Sequence, residues 1–316
     1  MFKKGLILVF VLATSFTLKA QMGFGKPKDI RALKERILLV GIKTPNEKKV
    51  KKISRKNPEE LKAYKQSIEN YNNAIKMAFN QNWDLSKSVE FISQEEIQEI
   101  SKDKKRKDQY GYFKTFIRIA PLSSSIGSLP QYTYEIGLLD KKKPIYSFQY
   151  DSYENFNEAD AIFIKQQMYH YLKNRLKKDR ENLKRKDLKK ALLENTKKLK
   201  NMTLYLDQDL ISSELKNKIQ SVYPYEYEIV DKSKIDEAIV KKSEGFAYVK
   251  AVPLIQISKN TGYVKISKRK YFQYFVNASN GELLALVTPG MSIGIVGGGN
   301  SKLSANDLKG IVKDIN

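Results

Sequence analysis

Apolar positions along this chain alternate between two spacings. Short apolar runs and strict apolar–polar alternation mark strands; apolar residues three and four apart mark helices. Ile37–Ile42 is an apolar run bounded by turn residues, the signal of a buried strand. Pro58 suits a first helical turn, where its missing N–H is no loss. From there Leu61, Tyr64, Ile68, Tyr71, Ile75, Ala78 and Phe79 line one helical face, and Trp83, the only tryptophan, follows as an anchor to the core. Residues 89–92 read as a strand, and Ser93 with Glu96 forms a capping box that opens a helix through Ile100. Residues 111–120 alternate aromatic or branched with polar side chains and end at Pro121; residues 122–130, rich in serine and glycine, read as a loop. Residues 132–139 and 145–150 pair around a turn at Asp140. Asn157 caps the next helix, with Glu158 and Asp160 suited to its dipole and Ile162, Phe163, Met168, Tyr169, Leu172 and Leu176 on its apolar face.

The second half repeats this order. It has a strand at 202–206, a helix marked by Leu210, Leu215 and Ile219, a strand at Tyr227–Val230, and a helix capped by Asp231 or Ser233. A strand at 246–257, a turn at 259–262, and a sheet continued by 263–267 follow. A hairpin of 271–278 and 283–288 then turns at Ser279, Asn280 and Gly281. Ser304 with Asp307 caps a last helix carrying Leu308, Ile311, Val312 and Ile315. Three blocks align without gaps: 89–100 on 227–238, 115–122 on 247–254, and 132–146 on 271–285. They place Pro121 on Pro253 and Arg118 on Lys250. A period of about 140 residues suits a duplicated globular domain rather than a solenoid.

The fold class expected is α/β (α+β): two duplicated domains, each a mixed sheet with helices packed on it, joined by a basic helical bridge. The boundaries are a signal peptide at 1–20, a flexible leader at 21–36, a first domain at 37–178, a basic helical linker at 179–200 and a second domain at 201–316. The basic segment around 173–200 is read as one long helix or two, and residues 43–57 as a basic loop.

The start is short and positive, then apolar from Leu6 to Ala13, then more polar up to Ala20, the order of a secretory signal peptide. Periplasm is the expected address, with extracellular space as the alternative. No later segment approaches the ~20 apolar residues of a membrane helix. The chain has no cysteine, which excludes both a disulfide framework and a lipid-acceptor cysteine. Lys and Arg number 58 against 35 Asp and Glu, a formal charge of +23. Such a charge favours anionic partners; the same lysine-rich composition also arises from codon bias in an AT-rich genome.

The order strand, helix, strand, short helix, then meander resembles the small α/β domain of two envelope families, the TolB N-terminal domain and the CsgG-like curli secretion proteins. The residues that carry it are Tyr227-Glu-Ile-Val-Asp231, residues 235–239, Phe246-Ala-Tyr-Val249 and the turn Ser279-Asn-Gly281-Glu282. The family pattern runs from a strand ending in Asp through a helix to a Gly-Ala-Asp that leads into the next strand, and then to a Thr-Gly-Glu turn. Here Gly245-Phe-Ala-Tyr248 lacks that Asp, and Asp140-Lys-Lys-Lys143 stands at the turn of the first half. The resemblance implies a periplasmic binding or assembly role and brings no catalytic residues.

Candidate chemistry is sparse. His170 is the only histidine, which rules out a multi-histidine metal site within one chain; a surface or packing role fits it better than that of a general base. Carboxylates remain for glycoside hydrolysis or calcium, but Asp207 and Asp209 lack the further ligands of a calcium loop. The glycines of residues 294–299 lack the Gly-Lys-Ser/Thr ending of a P-loop and read as a turn. The basic candidates are Lys184, Arg185, Lys186, Lys189 and Lys190, read either as a polyanion-binding helix or as a solvated linker. Lys268, Arg269 and Lys270, followed by Tyr271, interleave cations with an aromatic as nucleic-acid sites do, though export speaks against that partner. The expectation is therefore a non-catalytic envelope protein without cofactor or metal that binds a protein partner. The alternative is a binder of lipopolysaccharide, glycan or lipid through the basic bridge, with a carboxylate-based hydrolase as a third class.

Overall fold

The computed structural model describes residues 25–55, 57–121, 128–150, 156–177, 185–258, 266–289 and 301–316. The signal peptide, Lys184, the 259–262 turn and the 294–299 glycine run lie outside them.

Among the described residues, ten strands form two five-stranded mixed sheets. The first contains β1 (Ile37–Ile42), β2 (Ser88–Ser93), β3 (Tyr110–Pro121), β4 (Ser128–Leu138) and β5 (Tyr146–Tyr150), in the order β2-β1-β3-β4-β5. The second contains β6 (Thr203–Asp207), β7 (Tyr227–Val230), β8 (Phe246–Ser258), β9 (Ile266–Asn277) and β10 (Leu283–Val287), in the order β7-β6-β8-β9-β10. In both, the first three strands are parallel and the rest antiparallel. The two halves thus share one topology.

The registers correct part of the repeat alignment. Leu38 faces Val89 and Gly111, while Leu204 faces Tyr227 and Ala247. Val89 therefore matches Tyr227 as expected, but Gly111, not Thr115, matches Ala247. Leu138 and Asn277, the β4 and β9 partners of Gly111 and Ala247, confirm this frame. The Pro121–Pro253 coincidence came from sliding the strand by four residues, which keeps each side chain on its face and so leaves the hydrophobic pattern intact. In the observed frame Lys250 matches Lys114, and Leu254 matches Arg118.

The helices are α1 (Pro27–Lys34), α2 (Glu47–Ser54), α3 (Pro58–Asn80), α4 (Gln94–Lys102), α5 (Glu158–Leu176), α6 (Arg185–Thr196), α7 (Ser213–Val222), α8 (Lys232–Val240) and α9 (Ala305–Ile315). The Ser93–Glu96, Asn157–Asp160 and Ser304–Asp307 capping boxes all form. Two stretches differ from expectation. The leader contains α1, which starts at Pro27 and buries Ile30 and Leu33 completely. The basic loop contains α2, capped by Asn46 and seated by Ile53. Both are single-stripe helices of eight residues, too short for periodicity to show. Residues 128–130, read as loop, begin β4: Pro130 sits opposite Ile119, where β5 no longer pairs with β4 and a missing N–H is tolerated.

Helix α5 lies at the centre. It packs on α3 and α1 from the first half and on α8 from the second. Its residues Ala159, Asp160, Ala161, Ile162, Phe163, Ile164, Lys165, Gln166, Gln167 and Met168 are all buried, so it is enclosed all round rather than amphipathic. Phe163 meets Phe148 at 5.9 Å and Tyr150 at 5.9 Å in the first sheet, and Tyr274 at 5.9 Å and Tyr248 at 6.4 Å in the second. One apolar core consequently runs from Leu38 and Phe113 to Val252 and Phe272. A second core lies on the far face of the second sheet with α7 and α9. Trp83 anchors α3 as expected, its ring packed at a tilt against Phe79 at 5.3 Å and Tyr169 at 6.0 Å.

The basic bridge is not a free-standing rod. Helix α6 packs on β10 and α9. Thr196, 2 % exposed, donates to the Leu284 carbonyl at 2.9 Å, and Asn195 donates to that of Leu283 at 3.1 Å.

Candidate functional site

Alternate residues of β3 point to opposite faces. Phe113 and Thr115 enter the central core side, while Tyr112, Lys114, Phe116 and Arg118 line the other face. They form the floor of a recess of about 560 Å³, closed on one side by Ser101 at the end of α4 and on the other by Leu139, Lys141, Lys142 and Pro144 of the β4–β5 turn. Among the described residues the recess is open to solvent, with Lys114 and Phe116 half-buried and Arg118 exposed on its floor.

The floor is built by local fit. The Tyr112 ring lies against Gly137 on the neighbouring strand; a Cβ there would come within 2.8 Å of the tyrosine oxygen. Lys114 Nζ sits 4.7 Å from the Tyr112 ring centroid and 5.9 Å from that of Phe116. The Arg118 guanidinium lies 4.8 Å from the Phe116 ring. Cations and rings alternate along the strand, and each ring steadies a cation. Glu135, 7 % exposed, is the single acid in the lining. Burial pushes its carboxyl above the usual range; Lys114, Arg118 and a hydrogen bond from Ser147 only partly offset that. Against Glu135 stand Lys114, Arg118, Lys141 and Lys142, so the recess is net positive.

The matching face of the second sheet is filled. Tyr248, Lys250, Val252 and Leu254 are all buried there. Lys250 Nζ reaches Asp160 Oδ1 of α5 at 2.6 Å, and Tyr150 donates to the same oxygen at 2.6 Å. Asp236 of α8 lies 4.0 Å from Lys250 and accepts from Asn157 at 2.6 Å. Burial would raise the Asp160 carboxyl, but the Lys250 charge and these hydrogen bonds outweigh it and hold the group below the usual aspartate value. The cluster pins the start of α5 to the second sheet.

Of the expected basic residues, those described lie on two elements, α6 and β9. Arg185 and Lys186 begin α6, and Lys189 and Lys190 are exposed on it. Lys268, Arg269 and Lys270 sit in β9 opposite Gln256, Ile255 and Leu254, and Arg269 and Lys270 are half-buried. His170 packs its ring nitrogen on the Asn280 carbonyl at 2.9 Å, a contact between α5 and the β9–β10 turn. Among the described residues, no group of three His, Asp or Glu side chains is placed to hold a metal ion. The recess was visible in sequence only as the alternation of residues 111–120, which marks a strand and does not tell which face stays bare.

Set against family models, curated proteins and solved structures, the chain matches none of them. No helix among the described residues is long and apolar enough to cross a membrane.

Proposed function

We propose that the protein is an exported, non-catalytic module of the cell envelope that holds an acidic partner protein on the recessed face of its first sheet. The observation that carries this reading is the contrast between equivalent faces: Lys250 is buried under α5 against Asp160, whereas Lys114 lies in a net-positive recess that is open among the described residues. The resemblance of the strand–helix order to the TolB and CsgG-like envelope families points to the same kind of role. A photoreactive residue in place of Phe116 should give a discrete crosslinked product in the envelope fraction, and Lys114→Glu with Arg118→Glu should abolish it. An identical product from a photoreactive residue at Lys190 would overturn the assignment of the face. A second reading, an anionic glycan or lipid on α6, draws on the exposure of Lys189 and Lys190. It requires heparin binding that falls when those two lysines become glutamate and stays unchanged in the recess variant.

A further inference from the structure

We propose that the recess takes a helix whose first-turn carboxylate pairs with Lys114, as Asp160 at the start of α5 pairs with Lys250. This rests on the recess being the binding surface and adds what the partner presents to it. The second sheet supplies the template. There α5 runs beside α8 and over β8, with Asp160 on Lys250 at 2.6 Å and Phe163, three positions on, against Tyr248 and Tyr274. In the first sheet α4 stands where α8 stands, Tyr112 where Tyr248 stands, and Lys114 where Lys250 stands.

The chemistry of the face selects a carboxylate-bearing helix over a stacking ligand. The Tyr112 and Phe116 ring faces are occupied by Lys114 and Arg118, so a sugar or base would have to displace those cations before stacking. A helix with an acid in its first turn needs no displacement: its carboxylate is favoured by its own dipole and meets cations already held in place.

A second copy of this chain is a poor occupant. The counterpart of α5 is α9, and their caps align, Asn157 with Ser304 and Asp160 with Asp307. In that frame Gly310 stands where α5 has Phe163, and Lys313 where it has Gln166; both are exposed. Helix α9 would bring no apolar knob, and would bring Lys309 and Lys313 towards Lys114, Arg118, Lys141 and Lys142. Like charges across an interface oppose it.

The test uses the full chain and a defined probe. The probe is an acetylated, alanine-rich helical peptide of about 18 residues, above the length at which isolated helices are marginal. It carries a serine cap, Asp at the third helical position and Phe three positions later. Binding is followed by anisotropy at low salt. The peptide should bind the wild-type chain, and Lys114→Met, which keeps the apolar stem, should weaken it about five- to tenfold, as for a partly desolvated charge pair. The Asp→Asn peptide should lose the same factor on wild type and nothing more on Lys114→Met. Additive losses, or a peptide that binds wild type and Lys114→Met alike, overturn the proposal. Heparin and phosphatidylglycerol vesicles are titrated in parallel. If the peptide fails while either of these weakens with Lys114→Met, the recess stands as a binding surface and the helix is rejected. If no probe responds to Lys114→Met in a variant whose thermal midpoint matches wild type, both readings fall.

Discussion

Lys114 and Lys250 occupy one position in two copies of a sheet, yet their neighbours give them opposite duties. Lys250 is 9 % exposed and held by Asp160, so its charge is compensated inside the fold. Removing one member of such a pair leaves the other buried and alone, at a cost of about 3–5 kcal/mol. Lys250→Met should therefore lower stability by that order in urea denaturation. Adding Asp160→Asn should recover part of the loss, because the orphan charge is then removed. The pair also sets an acid limit. Asp160 is held below the usual aspartate value, so its contribution is complete above about pH 3.9 and disappears as pH falls through its lower folded value. The Asp160→Asn chain should show a shallower loss of stability across that acidic window than wild type. Nothing in the sequence couples these two residues. They lie 90 positions apart, and a lone lysine in an apolar strand reads the same whether its partner is a carboxylate or water.

At the scale of elements, the halves are locked by contacts between α5 and the β9–β10 turn. Gly281 has φ +75° and lies so close to Gln166 that a Cβ would come within 2.3 Å of the side-chain oxygen. Gln167 donates to the Gly281 carbonyl at 3.0 Å, and His170 meets that of Asn280. Gly281→Ala combines a left-handed backbone with overpacking and should cost about 1–3 kcal/mol. Calorimetry checks this, with Gly245→Ala, left-handed but open, as the milder control. Most elements were legible because their signals are local: Ile37–Ile42 as a bounded apolar run, Ser93 and Glu96 as a cap, Asp140 and Ser279 as turns. Helices α1 and α2 were hidden because eight residues give one apolar pair each, Ile30 with Leu33 and Val50 with Ile53, amid lysines. The repeat was legible in kind but slipped by four residues in β3, since an even shift in a strand preserves the alternation and only pairing partners reveal it. The recess was hidden for a different reason: both faces of β3 alternate well, and which one is covered depends on where α5 packs.

At the scale of the molecule, the duplicated halves are not independent bodies. Phe163 touches both sheets, and the apolar core continues from Phe113 and Ile136 through α5 to Tyr248 and Phe272. Large inter-unit apolar contacts make unfolding cooperative, whereas small polar ones let units melt separately. The whole chain should accordingly unfold in one transition, with coincident midpoints by circular dichroism and by Trp83 fluorescence, even though Trp83 belongs to the first half alone. A fragment of residues 185–316, which keeps α6 and Leu199, tests the same point from the other side. It keeps the core on the α7 and α9 face, but removal of α5 bares Tyr248, Val252, Phe272 and Tyr274 and leaves Lys250 with only Asp236 nearby. An exposed apolar face of that kind promotes association and dye binding. The fragment should bind an apolar dye strongly and lose its sharp transition. A fragment that melts cooperatively and stays monomeric would mean that the second sheet is complete without α5. In the full chain α5 closes that face, whereas on the equivalent face of the first sheet Lys114 and Arg118 stay in an open recess beside α4 among the described residues.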